Sequence, residues 1–141
     1  MVDQNERNRL LAEEFRANGG QIDEPNFRGA TLLLLTTKGR KTGRSFTTPM
    51  RYLPDGDRYV VFASHQGADE DPDWCKNLVA AGSATVEVGD ETFEVKAQVL
   101  EGSERDELYR RQVAINPVFG EYEKRTTRRI PVITLERTEA S

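Results

Sequence analysis

A chain of 141 residues, 36% apolar and 31% charged, has the size of one domain with a buried core and a wet surface. A net charge of −4 argues against a general nucleic-acid binder, and the longest apolar run, Leu32 to Leu35, is far short of the ~20 residues of a membrane helix. The lone Cys75 has no internal disulfide partner and the mixed-charge stretch Met1 to Arg9 does not read as a signal peptide, so a cytoplasmic enzyme is expected.

Asn8 to Ala17 reads as a short amphipathic helix, with Leu10, Leu11 and Phe15 on one side and Gly19-Gly20 as its stop. Thr31 to Thr37 is a continuous apolar run ending in threonines, as expected for a strand buried on both faces. A glycine-bounded loop, Lys38 to Gly43, leads into a strand from Ser45 to Leu53, where Pro49 requires an edge or a bulge because it donates no ladder hydrogen bond. Asp55-Gly56 signals a hairpin into Arg58 to Ala63. Asp71 as N-cap and Pro72 at the first helical position start a helix to about Ala81, stopped at Gly82. Ala84 to Val88 and Thr92 to Leu100 form a hairpin across Gly89-Asp90. Ser103 with Asp106 resembles a capping box for a helix reaching Ile115, Pro117 starts another, and Ile130 to Arg137 is the last strand. Six strands in hairpins, with short helices between them, predict an α+β fold: a closed or nearly closed six-stranded antiparallel barrel in one domain over residues 1–141, preceded by the helical segment 1–20.

Chemistry concentrates in few places. Lys38, Arg40, Lys41, Arg44 and Arg51 occur with no acid among them, while Asp69, Glu70, Asp71 and Asp73 follow as a group. Gly39-Arg40-Lys41-Thr42-Gly43-Arg44 combines tight backbone turns with cations and a hydroxyl suited to phosphate or carboxylate oxygens. It is no Walker loop, since the lysine precedes the second glycine and no helix follows. Spacing leaves it open whether this is an anion site or a solvated hairpin loop. Ala63-Ser64-His65-Gln66-Gly67-Ala68 lies between a strand and a helix start, where backbone amides can meet a polar ring edge. His65 is the single histidine, so multi-histidine metal sites are excluded and no metal is expected. The acids at 69–73 read as helix N-terminal charges. Trp74, Leu78 and Val79 fall at core spacing, Cys75 reads as a small filler, and Arg125, Arg128 and Arg129 read as a solvated basic turn. Tyr122, three residues after Phe119, offers a hydroxyl as part of a pocket or of the core.

Taken together, Phe15-Arg16-Ala17-Asn18-Gly19-Gly20, Leu33 to Gly43 (LLLTTKGRKTG), Ala63-Ser64 with Gly67-Ala68, Pro72-x-Trp74-x-x-Asn77-Leu78 and Arg129-Ile130-Pro131-Val132 resemble the deazaflavin-dependent nitroreductase family of actinobacteria, over nearly the whole chain from Glu14 to Leu135. The resemblance implies a split β-barrel and coenzyme F420, used in its reduced form as hydride donor to a quinone, an unsaturated lactone or enone, or a nitroaromatic. It also implies that Gly39, Arg40, Lys41, Thr42, Gly43, Arg44 and Ser45 hold the phosphate and oligoglutamate tail, and that Thr47, Thr48 and Pro49 run along the cofactor. Ala63, Ser64, His65, Gly67 and Ala68 would face the ring, with Trp74 closing the pocket. The catalytic hydroxyls would be Tyr122, on the substrate side, and Ser64. Phe46 stands where members often carry arginine, which leaves that contact to Arg44. His65-Gln66 stands where lysine and glycine are common, and Phe119 replaces a tyrosine of some nitroreductases.

Hydride transfer fits a chain with one histidine, one cysteine and no triad, because the cofactor carries the reaction and the protein orients it. Other readings are the same barrel with FMN, a non-catalytic F420 carrier, and an anion-binding module without redox role. The sequence leaves open monomer or homodimer, and whether the first helix touches a membrane surface.

Overall fold

The computed structural model describes residues 4–25, 27–64, 67–68 and 70–138. In chain order the elements are α1 (Gln4–Ala17), β1 (Leu32–Lys38), β2 (Ser45–Arg51), β3 (Leu53–Asp55), β4 (Arg58–Phe62), α2 (Asp73–Ala81), β5 (Ser83–Val88), β6 (Glu91–Val99), α3 (Gly102–Ile115), α4 (Val118–Arg125) and β7 (Val132–Arg137). All strand pairs are antiparallel, in the order β2-β1-β5-β6-β7-β4-β3.

That order explains the curl of the sheet. The segment expected as one strand from Ser45 to Leu53 breaks at Tyr52, whose N–H makes the last bond on the β1 side, to the Thr31 carbonyl at 3.2 Å. Its first part pairs with β1 and its second with β4, at opposite ends of the sheet. One residue separates two strands that are six places apart in the order, so the sheet must bend until its ends approach each other. The result is a split half-barrel of seven strands where six were expected. Pro49 lies on the outermost strand, as its missing donor requires.

The apolar run of β1 is buried on both faces because both are covered. Leu33 and Leu35 point into the barrel with Val61, Val86, Val95, Ile133 and Leu135, all fully buried. Leu32 and Leu34 pack with Leu11, Ala12 and Phe15 of α1 and with Ile22. Each buried leucine contributes roughly 1.5–3 kcal/mol of transfer free energy. A third cluster lies under α3 and α4, where Phe62, Tyr109 and Phe119 meet edge to face at 5.8–6.5 Å between ring centres. α2 stoppers one end of the barrel with Cys75 and Leu78, whereas Val79, expected in the core, is 55% exposed on the outer side. α2 ends at Gly82, whose φ of 75° a side chain would resist.

The helix starts differ from expectation for one reason: arginines take the carboxylates. α2 begins at Asp73 with Pro72 as its cap residue and no side-chain cap bond, while Asp71 pairs with Arg128 at 2.7 Å. α3 begins after Glu101, also without a side-chain cap bond, and Asp106 accepts from Arg105 and Arg129. α1 starts at Gln4, a turn earlier than the apolar pattern predicts, with polar residues that make ion pairs such as Arg9–Glu13.

Candidate functional site

A cleft of about 900 Å³ opens where α2 plugs the barrel, a size usual for a cofactor site. Its walls are the turn Gly39 to Thr42, Phe46 and Thr48 of β2, the start of α2 with Trp74, Lys76 and Asn77, and Asn5 and Asn8 from α1.

The turn is built by its own backbone and by one side chain from α2. Gly39 N–H donates to Arg44 O at 2.7 Å and Gly43 N–H to Gly39 O at 2.8 Å, which folds the basic residues outward. A Cβ on residue 39 would sit 2.8 Å from the Phe46 ring, so glycine lets turn and strand touch. Asn77 Oδ1 accepts from Arg40 N–H at 3.2 Å and from Arg40 Nη1 at 2.7 Å. Arg40 also stands 3.7 Å from Asp73. The cations therefore divide into two kinds. Arg40 is held by α2 and fixes the turn, whereas Lys41 and Arg44 are exposed and have no ion-pair partner among the described residues. Of the acids nearby, Glu70 pairs with Lys76 at 2.5 Å and Asp71 with Arg128. The turn is thus left with uncompensated positive charge on a protein of net charge −4.

Along β2 the pleat sorts the expected contacts. Phe46 and Thr48 line the cleft. Thr47 and Pro49 take the alternate face, where the Thr47 and Thr36 hydroxyls bond at 2.8 Å and Pro49 is buried. Gly43, Arg44 and Ser45 are exposed beyond the cleft mouth. On the barrel side of β1, paired with Phe46, the buried Thr37 hydroxyl has no partner among the described residues.

The connection from β4 to α2 lines the cleft only at Glu70, Asp71 and Pro72, so Ala63, Ser64, Gly67 and Ala68, like Tyr122, stand outside its lining. Ala63 is fully buried and Ser64 9% exposed, and Arg128 gathers their carbonyls together with that of Ala68. Gly67 has φ 82°, and a Cβ there would lie 2.7 Å from Arg125 Cβ and 3.0 Å from Tyr122 O. This contact brings α4 and Tyr122 against the connection. The Tyr122 ring is half-buried, edge to face with Phe119 at 5.2 Å and with the Arg125 guanidinium 5.5 Å above it. His65 lies outside the described residues.

Cys75, beneath Trp74, is buried, and burial pushes its thiol up to about 12, so it stays protonated and non-nucleophilic at neutral pH. No group of three or more potential metal ligands occurs among the described residues.

Two contributors escaped the sequence reading. Asn77 looks like any polar residue on an amphipathic helix, although its spacing of four from Asp73 was a signal that both face the same neighbour. Arg128 was grouped with Arg125 and Arg129 as solvated, but its side chain is 14% exposed against 60% for Arg129. Nothing in the local sequence distinguishes the two adjacent arginines.

Comparison with known proteins agrees with the fold. The family model described as F420H(2)-dependent quinone reductase matches residues 7–137. An F420H(2)-dependent quinone reductase of Mycobacterium tuberculosis (strain ATCC 25618 / H37Rv) is 33% identical over 132 residues, covering 92% of this chain and 89% of that protein. The solved structure of an F420-H2 dependent reductase, FDR-A, superposes with TM-score 0.69 at 32% identity, over 75% of this chain and 94% of that one. A structure described as a domain-swapped dimer gives TM-score 0.71 at 28% identity, over 93% and 95% of the two chains. At 14% identity and TM-score 0.62, the haem storage protein HutZ of Vibrio cholerae shares the fold alone. From the match over residues 7–137, the chain belongs to the F420H(2)-dependent quinone reductase family, oxidoreductases that use reduced coenzyme F420 as hydride donor.

Proposed function

We propose that this cleft binds reduced F420 and that the protein passes its hydride to a quinone held beside Tyr122. The observation that carries the reading is one cleft with a basic turn on one side, where Lys41 has no ion-pair partner among the described residues, and Trp74 on the other. A polyanionic tail needs the first and a planar ring the second. The residues fit such a group: donors are in surplus at the turn, the opposite wall is aromatic, and the buried Thr37 hydroxyl has no partner among the described residues.

Lys41 and Arg44 hold the phosphate and tail carboxylates, with Thr42 and backbone amides of the glycine-bounded turn as further donors. Arg40 shapes the turn through Asn77. Thr48 and Phe46 form the edge along the cofactor, Trp74 covers the ring, and Ala63, Ser64, Gly67 and Ala68 border it. When bound, reduced F420 supplies the hydride. Tyr122 donates its hydroxyl hydrogen bond to a quinone carbonyl oxygen, which gains negative charge as hydride reaches the quinone. Solvent then gives the proton that completes the quinol. Ser64 holds the border rigid through its carbonyl and offers a second hydroxyl. Enones and nitroaromatics present similar electron-poor acceptors to the same donor.

No described helix is long and apolar enough to cross a membrane. We place the protein in the cytoplasm, as a single domain over 1–141, meeting its quinone in solution or at the inner membrane face. The domain-swapped neighbour supports a homodimer.

Mixing the protein with F420H2 and a water-soluble benzoquinone, and following the return of the oxidised F420 absorbance, tests the reading. Oxidation well above the protein-free rate is expected. Tight F420 binding without oxidation would replace it by a carrier, and co-purifying FMN by a flavin enzyme.

A further inference from the structure

We infer that Arg128 is a positioning residue for hydride transfer, setting which polar groups of the β4–α2 connection face the cofactor ring. The inference rests on the cofactor reading above. Arg128 Nε donates to Ala68 O at 2.7 Å, Nη1 to Asp71 Oδ1 at 2.7 Å, and Nη2 to Ala63 O at 3.1 Å and Ser64 O at 2.8 Å. A guanidinium carries five N–H groups in a fixed planar fork, and four acceptors here are spread to match that fork. The side chain is 14% exposed and, like Ala63, Ser64 and Ala68, stands outside the cleft lining, so any effect on the ring passes through the connection it holds.

Its effect follows from peptide geometry. In a trans peptide the carbonyl and the following N–H point in opposite directions. Drawing the Ala63 carbonyl back to Arg128 therefore turns the Ser64 N–H away from the guanidinium. Ser64 O is doubly engaged, by Arg128 and by Gly67 N–H at 2.8 Å, which fixes its peptide plane as well. From the other side Gly67 is pressed onto α4. Ala63, Ser64, Gly67 and Ala68 are held between Arg128 and the helix that carries Tyr122, with the Ala63, Ser64 and Ala68 carbonyls gathered on the guanidinium. A ring that becomes more electron-poor or more charged as hydride leaves responds to the direction of such dipoles, and a fixed arrangement needs no reorganisation.

Arg128→Lys keeps the charge but replaces the fork with one point donor that cannot reach Ala68 O, Ser64 O and Asp71 together. Wild type, Arg128→Lys and Asp71→Ala are compared by thermal midpoint, F420 affinity, absorption spectrum of bound F420, and single-turnover oxidation of bound F420H2 at varied benzoquinone. For Arg128→Lys the inference expects a rate loss of about 10-fold or more, F420 affinity within about threefold because the 39–44 turn is untouched, unchanged dependence on benzoquinone concentration, and a shifted bound-cofactor spectrum. For Asp71→Ala, which leaves three carbonyl bonds, it expects a loss of about threefold. Folded Arg128→Lys with wild-type rate and spectrum overturns it, as does a rate loss equal to the unfolded fraction. If Arg128→Lys does not fold, Asp71→Ala decides, and a wild-type rate in that variant overturns the inference. A wild-type protein that neither binds F420 nor oxidises F420H2 refutes the cofactor reading itself, a result that no comparison among variants can imitate.

Discussion

Tyr122 and Cys75 carry the two most reactive side-chain types near the cleft, and their surroundings give them opposite fates. Tyr122 is half-buried, wedged between Phe119 and Arg125, which fixes its ring, and on the proposed reading its hydroxyl meets the quinone. Tyr122→Phe removes the hydroxyl and keeps the wedge. Turnover should fall ~10-fold to ~100-fold with F420 affinity unchanged, the scale of one well-placed hydrogen bond in the transition state. Steady-state rates and F420 titration on the same variant check this, and unchanged turnover reduces Tyr122 to packing. Cys75 is 1% exposed, and burial raises its thiol from 9.0 to about 12. Folded protein therefore keeps a proton that unfolded chain releases above pH 9, so stability is lost as pH rises from about 9 towards 12. Melting curves of wild type and Cys75→Ala across that range should converge at high pH, and a disulfide reagent at pH 8 should label Cys75 only as the protein unfolds.

At the scale of elements, hydrophobic period and glycine placement were legible: α2 to Gly82, the two hairpins, the helix after Pro117 and the buried β1 all stand as the sequence predicts. Helix starts were not, because a cap residue is recognised by what is nearby in sequence while Asp71 and Asp106 are claimed by arginines distant in sequence or across helices. The 39–44 turn was legible as a basic glycine-bounded loop. That Arg40 belongs to its scaffold and Lys41 and Arg44 to its free surface was not, since Asn77 lies 37 residues away. Gly67 joins two elements, and its requirement is physical: positive φ together with a Cβ position already filled by Arg125. Gly67→Ala should cost about 1–3 kcal/mol from strain and displacement and should impair turnover more than F420 affinity. Thermal melts and kinetics on this variant measure both effects, and a wild-type melt would show that the connection does not press on α4.

For the whole molecule, the missing information was a single bend. No glycine or turn pair interrupts Ser45 to Leu53, so the sequence alone reads one strand and six in the barrel. Only the pairing of β2 and β3 at opposite ends of the sheet reveals the break at Tyr52 and the split seven-stranded curl. The same closure brings the 39–44 turn and α2 to one end of the barrel, so the cleft is a consequence of topology. Charge is likewise a property of the whole. Among the described residues of this acidic protein Lys41 and Arg44 have no acid partner, and such a site attracts a polyanion with an affinity that salt weakens. The decisive measurement is titration of wild type and the Lys41→Ala/Arg44→Ala double variant with F420, read by cofactor fluorescence at low and high salt. Saturable binding to wild type is predicted, weakened by salt, with the double variant losing about 1–3 kcal/mol per shielded contact and most of the salt dependence. No binding to wild type, or equal affinity and equal salt dependence in the variant, would contradict the account.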